Sequence, residues 1–451
     1  MRKHMLSRRE FLKHSSLTGL GTALILGVTP SLYANLVKDA ATPALLGGQP
    51  VRTKGWPEWP MWNPATDEER VLEVLRSGVW SRNDVVEEFE EKWAQVIGTK
   101  RCLGTTNGTH ALITSLHVLG IGAGDEVLVP PYTFVATVAA ILQNNAMPVF
   151  VDVDRETFQI DPAKLEDKIT PNTRAILPVH ILGLPADMPA INAVAEKHDL
   201  VVLEDACQAW LAEINHQRVG SFGDLGCFSF QNSKNIPIGE SGAIVGDDDH
   251  LMDKAFSFHN FGRPHGSVTG NGYVMAGTKC RMAEYQAAIG LAQLQRLEEQ
   301  TKTRNENAAY LTSQIKDIPG ILPHRLYDGV TQAAYHLYPF RYDPDGFSGL
   351  PREKFLTALR KEGIPCSDGY TPLNTMPYLA DAFKSRAFQK TYPASQLNFE
   401  NYKQQNSCPE NDQLTKEAVW LFQNMLLGTR SDMDDIAAAI SKIHQHADDL
   451  V

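Results

Sequence analysis

A single lysine, Lys234, lies in a short polar segment directly after a strand-like run. The segment, residues 225–243, is LGCFSFQNSKNIPIGESGA, with Ser229 before the lysine and glycines after it. Most lysines remain solvated, but small residues and glycines allow a ligand to approach the backbone closely. A lysine that loses its water shell can attack a carbonyl and form a Schiff base. The segment by itself leaves two roles open, an electrostatic contact with phosphate or a covalent bond.

Two earlier segments contain groups that could complement this lysine. Residues 105–120, TTNGTHALITSLHVLG, start an amphipathic helix with small polar residues, so its free N–H groups and its dipole can bind a phosphate. Asp205, in LVVLEDACQAW at 200–210, follows an apolar run and therefore lies at the carboxyl end of a predicted strand. Each feature also has an ordinary interpretation, as a helix N-cap and as an acid satisfied by a loop N–H or an arginine.

The three segments together match the needs of one cofactor, pyridoxal 5′-phosphate. This cofactor requires a cradle for its phosphate, an acid opposite its pyridine nitrogen, and a lysine that forms a Schiff base. The helix start, Asp205 and Lys234 would supply these groups in that order along the chain. Because the helix start already provides for the phosphate, the combination favours the covalent role for Lys234.

The elements around these segments alternate between strand and helix patterns. Strand-like runs are separated by helical runs such as FVATVAAILQNN; the strand-like runs are EVLVPP, MPVFVDVD, TRAILPVHILG, LVVLEDA, GCFSF and GAIVGDD. This alternation predicts an α/β fold with a mostly parallel sheet, whose ligands gather at the carboxyl ends of the strands. We predict a large domain over residues 65–300 and a smaller C-terminal α+β domain over 301–451, since 451 residues exceed one compact core.

Several boundaries are predicted from capping residues. In TDEERVLEVLRSG we expect a helix with its N-cap at Thr66 and its stop at Gly78, and we expect the last helix to begin at Ser431. The Pro-, Gly- and Trp-rich residues before the first helix predict an extended arm over 35–64.

Residues 1–34 indicate an export signal, because a basic stretch precedes an apolar run, LTGLGTALILGV. A membrane anchor is the alternative, but this run of about a dozen residues is shorter than the ~20 that span a bilayer. The stretch SRREFLK resembles a twin-arginine signal, which implies the twin-arginine translocation machinery as a partner during export. We therefore expect a periplasmic or otherwise exported protein, tethered to the membrane if the signal is not cleaved.

Charge and cysteine content argue against a nucleic-acid-binding protein and against a metal-binding protein. The net charge is −11, and it becomes −15 without residues 1–34, so nucleic acid is not an expected partner. The six cysteines are scattered without metal-ligand spacing, and we expect mostly free thiols. The polar clusters at 247–250 and 444–449 are interpreted as a solvated turn and a tail rather than metal sites. His180 and His336 are interpreted as structural.

Six of the segments resemble the DegT/DnrJ/StrS family of sugar aminotransferases. They are NGTHAL, GAGDEVLVPPYTFVAT, PVHILGLPADM, LEDACQA, SFQNSKNIPIGESGA and RMAEYQAAIGLAQL, and the resemblance extends from about residue 45 to the C-terminus. It implies the type I fold of pyridoxal-phosphate enzymes, with a mostly parallel seven-stranded sheet in the large domain. It also implies a homodimer whose cofactor sites share residues across the interface.

The resemblance assigns roles to individual residues. Lys234 would bind the cofactor covalently and carry a proton, and Asp205 would pair with the pyridine nitrogen. The other implied cofactor contacts are Gln208 at the ring hydroxyl, Tyr132 stacked on the ring, and Gly108, Thr109 and Ser229 at the phosphate.

The sequence departs from the family pattern at two places. Lys279 replaces an Asn that usually reaches the phosphate in the neighbouring subunit, and Arg281 follows in the same GTKCRM stretch. Ser241 occupies a position where glycine is common. Tyr370, in SDGYTPL, is an expected substrate-pocket residue by its resemblance to the family's stretch.

These features predict a pyridoxal-phosphate aminotransferase. An amino acid such as glutamate would donate its amino group to the cofactor, and a keto-sugar or related ketone would accept it in a ping-pong reaction. Because nucleotide-linked sugars are made in the cytoplasm, an exported enzyme could instead carry out another pyridoxal-phosphate reaction on an amine or sugar. A non-catalytic relative that binds cofactor or ligand is the third alternative.

Overall fold

The computed structural model describes residues 41–451, so the predicted export signal and the first residues of the predicted arm lie outside the described part. The described part of the arm, up to Asn63, has little regular structure apart from one 3₁₀ turn at Ala44–Leu46. Within residues 41–451, no helix is long and apolar enough to cross a membrane.

The first half of the chain forms most of a seven-stranded sheet and its covering helices. The helices are α1 (Pro64–Ser77), α2 (Asp84–Ile97), α3 (Gly108–Val118), α4 (Val135–Gln143), α5 (Met188–His198) and α6 (Asp249–His259). The strands are β1 (Arg101–Thr105), β2 (Glu126–Val129), β3 (Met147–Phe150), β4 (Thr173–Ile176), β5 (Val201–Asp205), β6 (Glu213–Ile214), β7 (Gln217–Arg218), β8 (Leu225–Ser229) and β9 (Gly242–Gly246).

The second half begins with a long helix and contains a smaller sheet. The helices are α7 (Glu284–Ile315), α8 (Arg352–Lys361), α9 (Pro377–Phe383), α10 (Arg386–Thr391), α11 (Phe399–Gln405), α12 (Pro409–Glu417), α13 (Arg430–Gln445) and α14 (Ala447–Leu450). The strands are β10 (Ile321–Pro323), β11 (Val330–Gln332), β12 (Leu337–Tyr342), β13 (Cys366–Ser367) and β14 (Ala418–Phe422). Helix α7 continues across the boundary that the sequence places at residue 300, and that boundary stays a prediction.

The large sheet has the strand order β1-β9-β8-β5-β4-β2-β3. Strands β3, β2, β4, β5 and β8 pair in parallel, and β9 is antiparallel to both β8 and β1. Strands such as β2 and β8 are buried along their whole length, because helices cover both faces. The predicted α/β class with a mostly parallel seven-stranded sheet is therefore confirmed.

A second sheet has the order β10-β12-β14-β13, with every pair antiparallel. It combines with helices α8 and α13, which agrees with the predicted α+β character of the C-terminal part. Strands β11, β6 and β7 form a small third sheet.

Two predicted helix starts are wrong. Asn63, not Thr66, caps α1, because its side chain accepts from the N–H of Ala65 and Pro64 begins the helix. Thr429, not Ser431, caps α13, where its hydroxyl and the Asp432 carboxylate each accept the other residue's N–H. The predicted stop of α1 at Gly78 is confirmed, since Gly78 has a left-handed backbone.

Candidate active site

A cavity of about 520 Å³ lies at the carboxyl edge of the large sheet. Parallel strands β5 and β8 end there at Asp205 and Ser229, and α3 begins beside them at Gly108. The antiparallel strand β9 starts at the same edge, where Gly242 pairs with Ser229. The fold thus brings the three chemically suggestive segments of the sequence to one place, as the rule for parallel sheets predicts.

Lys234 is half-buried at the wall of this cavity. Its Nζ makes no ion pair or hydrogen bond with the residues in the described range 41–451, and it lies 5.9 Å from the centre of the Trp210 ring. Burial lowers the pKa of the Lys234 ammonium group, although the carboxylate of Asp205 acts in the opposite direction. A lowered pKa increases the fraction of neutral amine, which is the nucleophilic form.

Asp205 is held as an oriented acceptor on the same wall. Thr137 donates to Oδ2 at 2.7 Å, and the N–H of Cys207 donates to Oδ1 at 3.1 Å. These two bonds fix a nearly buried carboxylate at a strand end, where it faces the cavity that Lys234 also lines. An acid in this position can hold a protonated ring nitrogen.

The start of α3 is available to bind an anion. The side chain of Asn107 accepts from the N–H of His110, while the N–H groups of Gly108 and Thr109 have no partner in the described part of the chain. A Cβ atom on Gly108 would lie 2.7 Å from Sγ of Cys207 and 2.8 Å from Cβ of Ser229. Only glycine permits this close approach, which places the helix end against the strand ends.

Gln208 and Tyr370 line the same cavity and are hydrogen-bonded to each other. Gln208 donates to the Tyr370 hydroxyl at 2.8 Å and accepts from the N–H of Leu182 at 2.9 Å. Burial raises the pKa of Tyr370 to about 12, so its hydroxyl remains protonated near neutral pH. Both side chains line the cavity, while the contact of Gln208 with the ring hydroxyl and the role of Tyr370 in the substrate pocket stay predictions.

The structure places Tyr132 differently from the expected stacking position. Its side chain is fully buried in the core, where its hydroxyl accepts from Trp420 at 3.1 Å and its ring contacts Tyr370 edge-on. The aromatic residue that lines the cavity is Phe134, whose side chain is 55% exposed. Both residues belong to the segment PYTF, and within it Phe134 rather than Tyr132 has the side chain that lines the cavity.

Lys279 and Arg281 do not line the cavity of their own chain. Lys279 is exposed and pairs with Asn260, and Arg281 is half-buried and pairs with Thr105 at the end of β1. Ser241 is fully buried next to the cavity, and its hydroxyl has no partner among the described residues. The predicted role of Lys279 at a neighbouring subunit stays a prediction.

His336 and Trp59 were not predicted as site residues. His336 lines the cavity and hydrogen-bonds to Asn235, and burial lowers the pKa of its imidazole well below the ordinary value. Trp59, from the arm, donates from Nε1 to the backbone oxygen of Lys234 at 3.1 Å. Neither residue has a sequence pattern that marks it, because each reaches the site from a distant segment.

These groups fit pyridoxal phosphate: free backbone N–H groups for the phosphate, a fixed carboxylate for the ring nitrogen and a lysine with a lowered pKa. The sequence matches the DegT/DnrJ/EryC1/StrS aminotransferase family over residues 63–419. The chain belongs to this family. It is therefore an aminotransferase, and its cofactor is pyridoxal 5′-phosphate.

Individual relatives agree with this membership. The chain is 35% identical to an L-glutamine:2-deoxy-scyllo-inosose aminotransferase of Streptoalloteichus tenebrarius, over 90% of this chain and 98% of that protein. It is also 35% identical to the spore coat polysaccharide biosynthesis protein SpsC of Bacillus subtilis, over 84% and 95%. The crystal structure of 3-amino-5-hydroxybenzoic acid synthase superposes with a TM-score of 0.76 at 30% identity, over 87% of this chain and 99% of that one.

Proposed function

We propose that this aminotransferase moves an amino group from an amino acid to the carbonyl of a cyclic polyol ketone, a keto-sugar or keto-cyclitol. The observation that carries the proposal is the single cavity shared by Lys234, Asp205 and the start of α3. The sequence predicts glutamate as donor, and a relative is named for L-glutamine, so the proposed donors are these two amino acids.

When bound, pyridoxal phosphate supplies a carbonyl that exchanges between amines and a ring that draws electrons from the substrate carbon. Asp205 keeps the ring nitrogen protonated, because Thr137 and the Cys207 N–H hold its carboxylate toward the cavity. The N–H groups of Gly108 and Thr109 anchor the phosphate. Nζ of Lys234 removes the proton from the donor's Cα and delivers one to the carbon that receives the amine.

We also propose that two copies of the chain form the working enzyme. Phe134 and Val135 are large apolar side chains that remain exposed at and beside the cavity mouth. Phe261, likewise exposed, hydrogen-bonds through its N–H to Thr278, next to Lys279. Burying these side chains against a second copy would bring Lys279 toward the partner's phosphate site. Gel filtration with light scattering tests this, and a monomer with full activity would contradict it.

The proposed location rests on residues 1–34, which resemble a twin-arginine signal. The proposal is export of a folded, cofactor-loaded enzyme to the periplasm. Fractionation of cells that produce the Arg8→Lys/Arg9→Lys variant tests it. The variant should remain in the cytoplasm, and periplasmic delivery equal to that of the original protein would refute the proposal.

The reaction is tested in two half-reactions. The purified protein should absorb in the visible range, lose that absorbance with glutamine or glutamate, and regain it when 2-deoxy-scyllo-inosose is added. The Lys234→Ala variant should show neither change. Absorbance that glutamine and glutamate leave unchanged would contradict the proposed donors, and bleaching that no cyclic ketone reverses would contradict the proposed acceptor class.

A further inference from the structure

A second chamber of about 450 Å³ adjoins the Lys234 cavity. Gln231, Ser233 and His336 line both spaces and form the boundary between them. Most of the chamber's other walls come from remote parts of the chain: the arm with Trp59, strands β12 and β13, and strand β14 with the residues that follow it. A ligand whose carbonyl group reaches Lys234 could therefore place its remaining atoms in the adjoining chamber.

Two indole rings contribute to the chamber walls. Trp59 is fixed by its hydrogen bond to the backbone oxygen of Lys234, and Trp420 is fixed by its hydrogen bond to the Tyr132 hydroxyl. With both N–H groups already used, each tryptophan offers the ligand mainly its apolar ring. Rigid aromatic faces suit the C–H faces of a six-membered ring, while the hydroxyls of that ring need polar partners.

Two amide side chains in the chamber are oriented by their other contacts. Arg304 donates from Nε and Nη2 to Oε1 of Gln423, so the Gln423 Nε2 group is a donor without a partner among residues 41–451. Asn424 donates from Nδ2 to the backbone oxygen of Pro57 at 2.7 Å, which leaves its Oδ1 as an acceptor. One donor and one acceptor are thus held ready for hydroxyl groups.

The chamber lining in the described chain contains no Asp, Glu, Lys or Arg side chain. His336 is neutral, because burial lowers the pKa of its imidazole well below the ordinary value. Arg304 is fully buried, with its guanidinium bonded to Gln423 and 5.4 Å from the centre of the Trp59 ring, and it does not line the chamber. Within the described residues the lining therefore offers a diphosphate no arginine or lysine side chain, the cationic groups that pair with phosphate oxygens.

We propose that the chamber is the acceptor subsite and that it selects an uncharged cyclic polyol ketone, with Trp59 of the N-terminal arm as a specificity-determining wall. This inference rests on the proposed function for the transfer step. The arm is then part of the substrate site and more than a connection to the N-terminal residues.

The test compares Trp59→Ala, Trp59→Phe and the control Trp62→Ala, which removes an exposed tryptophan of the same arm. The Kd for 2-deoxy-scyllo-inosose is measured on each holoenzyme by calorimetry, and the rate of bleaching by glutamine is measured separately. We expect Trp59→Ala to raise the Kd by on the order of tenfold, from loss of an aromatic contact and its buried surface. Trp59→Phe should lie closer to the original protein, and Trp62→Ala should equal it.

Several outcomes would overturn the chamber assignment. They are equal Kd values for Trp59→Ala and Trp62→Ala, no binding of 2-deoxy-scyllo-inosose by the original protein, or tighter binding of a nucleotide diphosphate-linked keto-hexose. A bleaching rate that falls as much as the affinity would indicate a general distortion of Lys234 and would also overturn it. If the polyol binds in a Trp59-dependent manner but receives no amino group, the proposed function is contradicted while the chamber assignment stands.

Discussion

The cofactor end and the chamber end of the active site are built from different parts of the chain. The cofactor end uses α3, β5 and β8, whose functional residues all belong to one edge of the large sheet. The chamber end joins the arm, β12, β13, β14 and the residues after β14, and its fixed side chains are held by hydrogen bonds between remote residues such as Trp59 and Lys234. The positions of the functional side chains are fixed by a sheet edge at the cofactor end and by contacts between distant segments at the chamber end.

The two ends also differ in their electrostatics. The cofactor end contains the opposed charges of Lys234 and Asp205 and the positive end of a helix, which suits a charged cofactor and proton transfer. The chamber end offers indole rings and amides, which suit recognition of a neutral polyol. Proton transfer and acceptor recognition therefore rest on different residues, and a change at one end should leave the other end largely intact.

The largest expected effect is at Asp205. Asp205→Asn removes the charge that supports the ring nitrogen, and we expect kcat to fall on the order of a hundredfold or more, as for loss of one member of a buried charge pair. Acceptor binding in the chamber should change little. Asp224→Asn is the matched control, since its carboxylate accepts from Val202 at the opposite edge of the sheet. Steady-state kinetics with both substrates measure the effect. An Asp205→Asn enzyme with a normal kcat would contradict the assignment of Asp205 to the ring nitrogen.

The next largest effect is expected at Glu362, whose carboxylate attaches the N-terminal arm to the C-terminal part of the chain. The buried carboxylate of Glu362 accepts from the N–H groups of Ala44 and Val51 and from Lys442. Glu362→Gln should lower the free energy of unfolding by about 2 kcal/mol, the scale of lost hydrogen bonds to a charged group. It should also weaken acceptor binding more than bleaching by the donor, because the same arm positions Trp59.

Urea unfolding measures the stability change, and limited proteolysis of the arm reports its release. Glu353→Gln, on the exposed part of α8, is the control and should lie within about 0.5 kcal/mol of the original protein. If Glu362→Gln affects the donor and acceptor half-reactions equally, the arm does not act on the chamber alone.

A smaller effect is expected in the pH dependence of cofactor uptake. Because burial lowers the pKa of Lys234, the rate at which the apoenzyme takes up pyridoxal phosphate should rise with pH and level off below the pKa of a free lysine. Asp205 acts to raise the pKa of Lys234, so Asp205→Asn should move the profile to lower pH. Stopped-flow absorbance across pH checks this, and a shift to higher pH would contradict the electrostatic account.

The smallest effect is predicted at Ser241. Its buried hydroxyl has no partner among the described residues, so Ser241→Ala removes an unsatisfied polar group and should change stability by no more than about 1 kcal/mol, in the favourable direction. Ser115→Ala, which removes a hydroxyl bonded to Cys227, should instead destabilise the protein. Thermal unfolding of both variants gives the comparison, and a Ser241→Ala protein less stable than Ser115→Ala would disagree with it.

The same division explains what the sequence could predict. The strand end at Asp205 and the helix start at Gly108 follow from local patterns, so these two residues and Lys234 could be predicted from the sequence to meet at one sheet edge. The choice between Tyr132 and Phe134 depends on which side chain faces the cavity at a strand-to-helix turn, and local pattern does not fix that direction.

The chamber could not be predicted for a different physical reason. Trp59 and Gln423 lie far from Lys234 in sequence, and their positions result from packing of the arm and β14 against α7. The misplaced N-cap of α13 shows the same limit at short range, because both Thr429 and Ser431 are good caps and only the reciprocal bond with Asp432 distinguishes them.

The central claim is that Lys234 holds the cofactor covalently at the sheet edge. Borohydride reduction of the purified holoenzyme, followed by proteolysis and mass spectrometry of the peptides, tests it most directly. The account predicts the reduced pyridoxal phosphate adduct on Lys234 as the principal modification. An adduct principally on another lysine such as Lys279, with Lys234 unmodified, would contradict it.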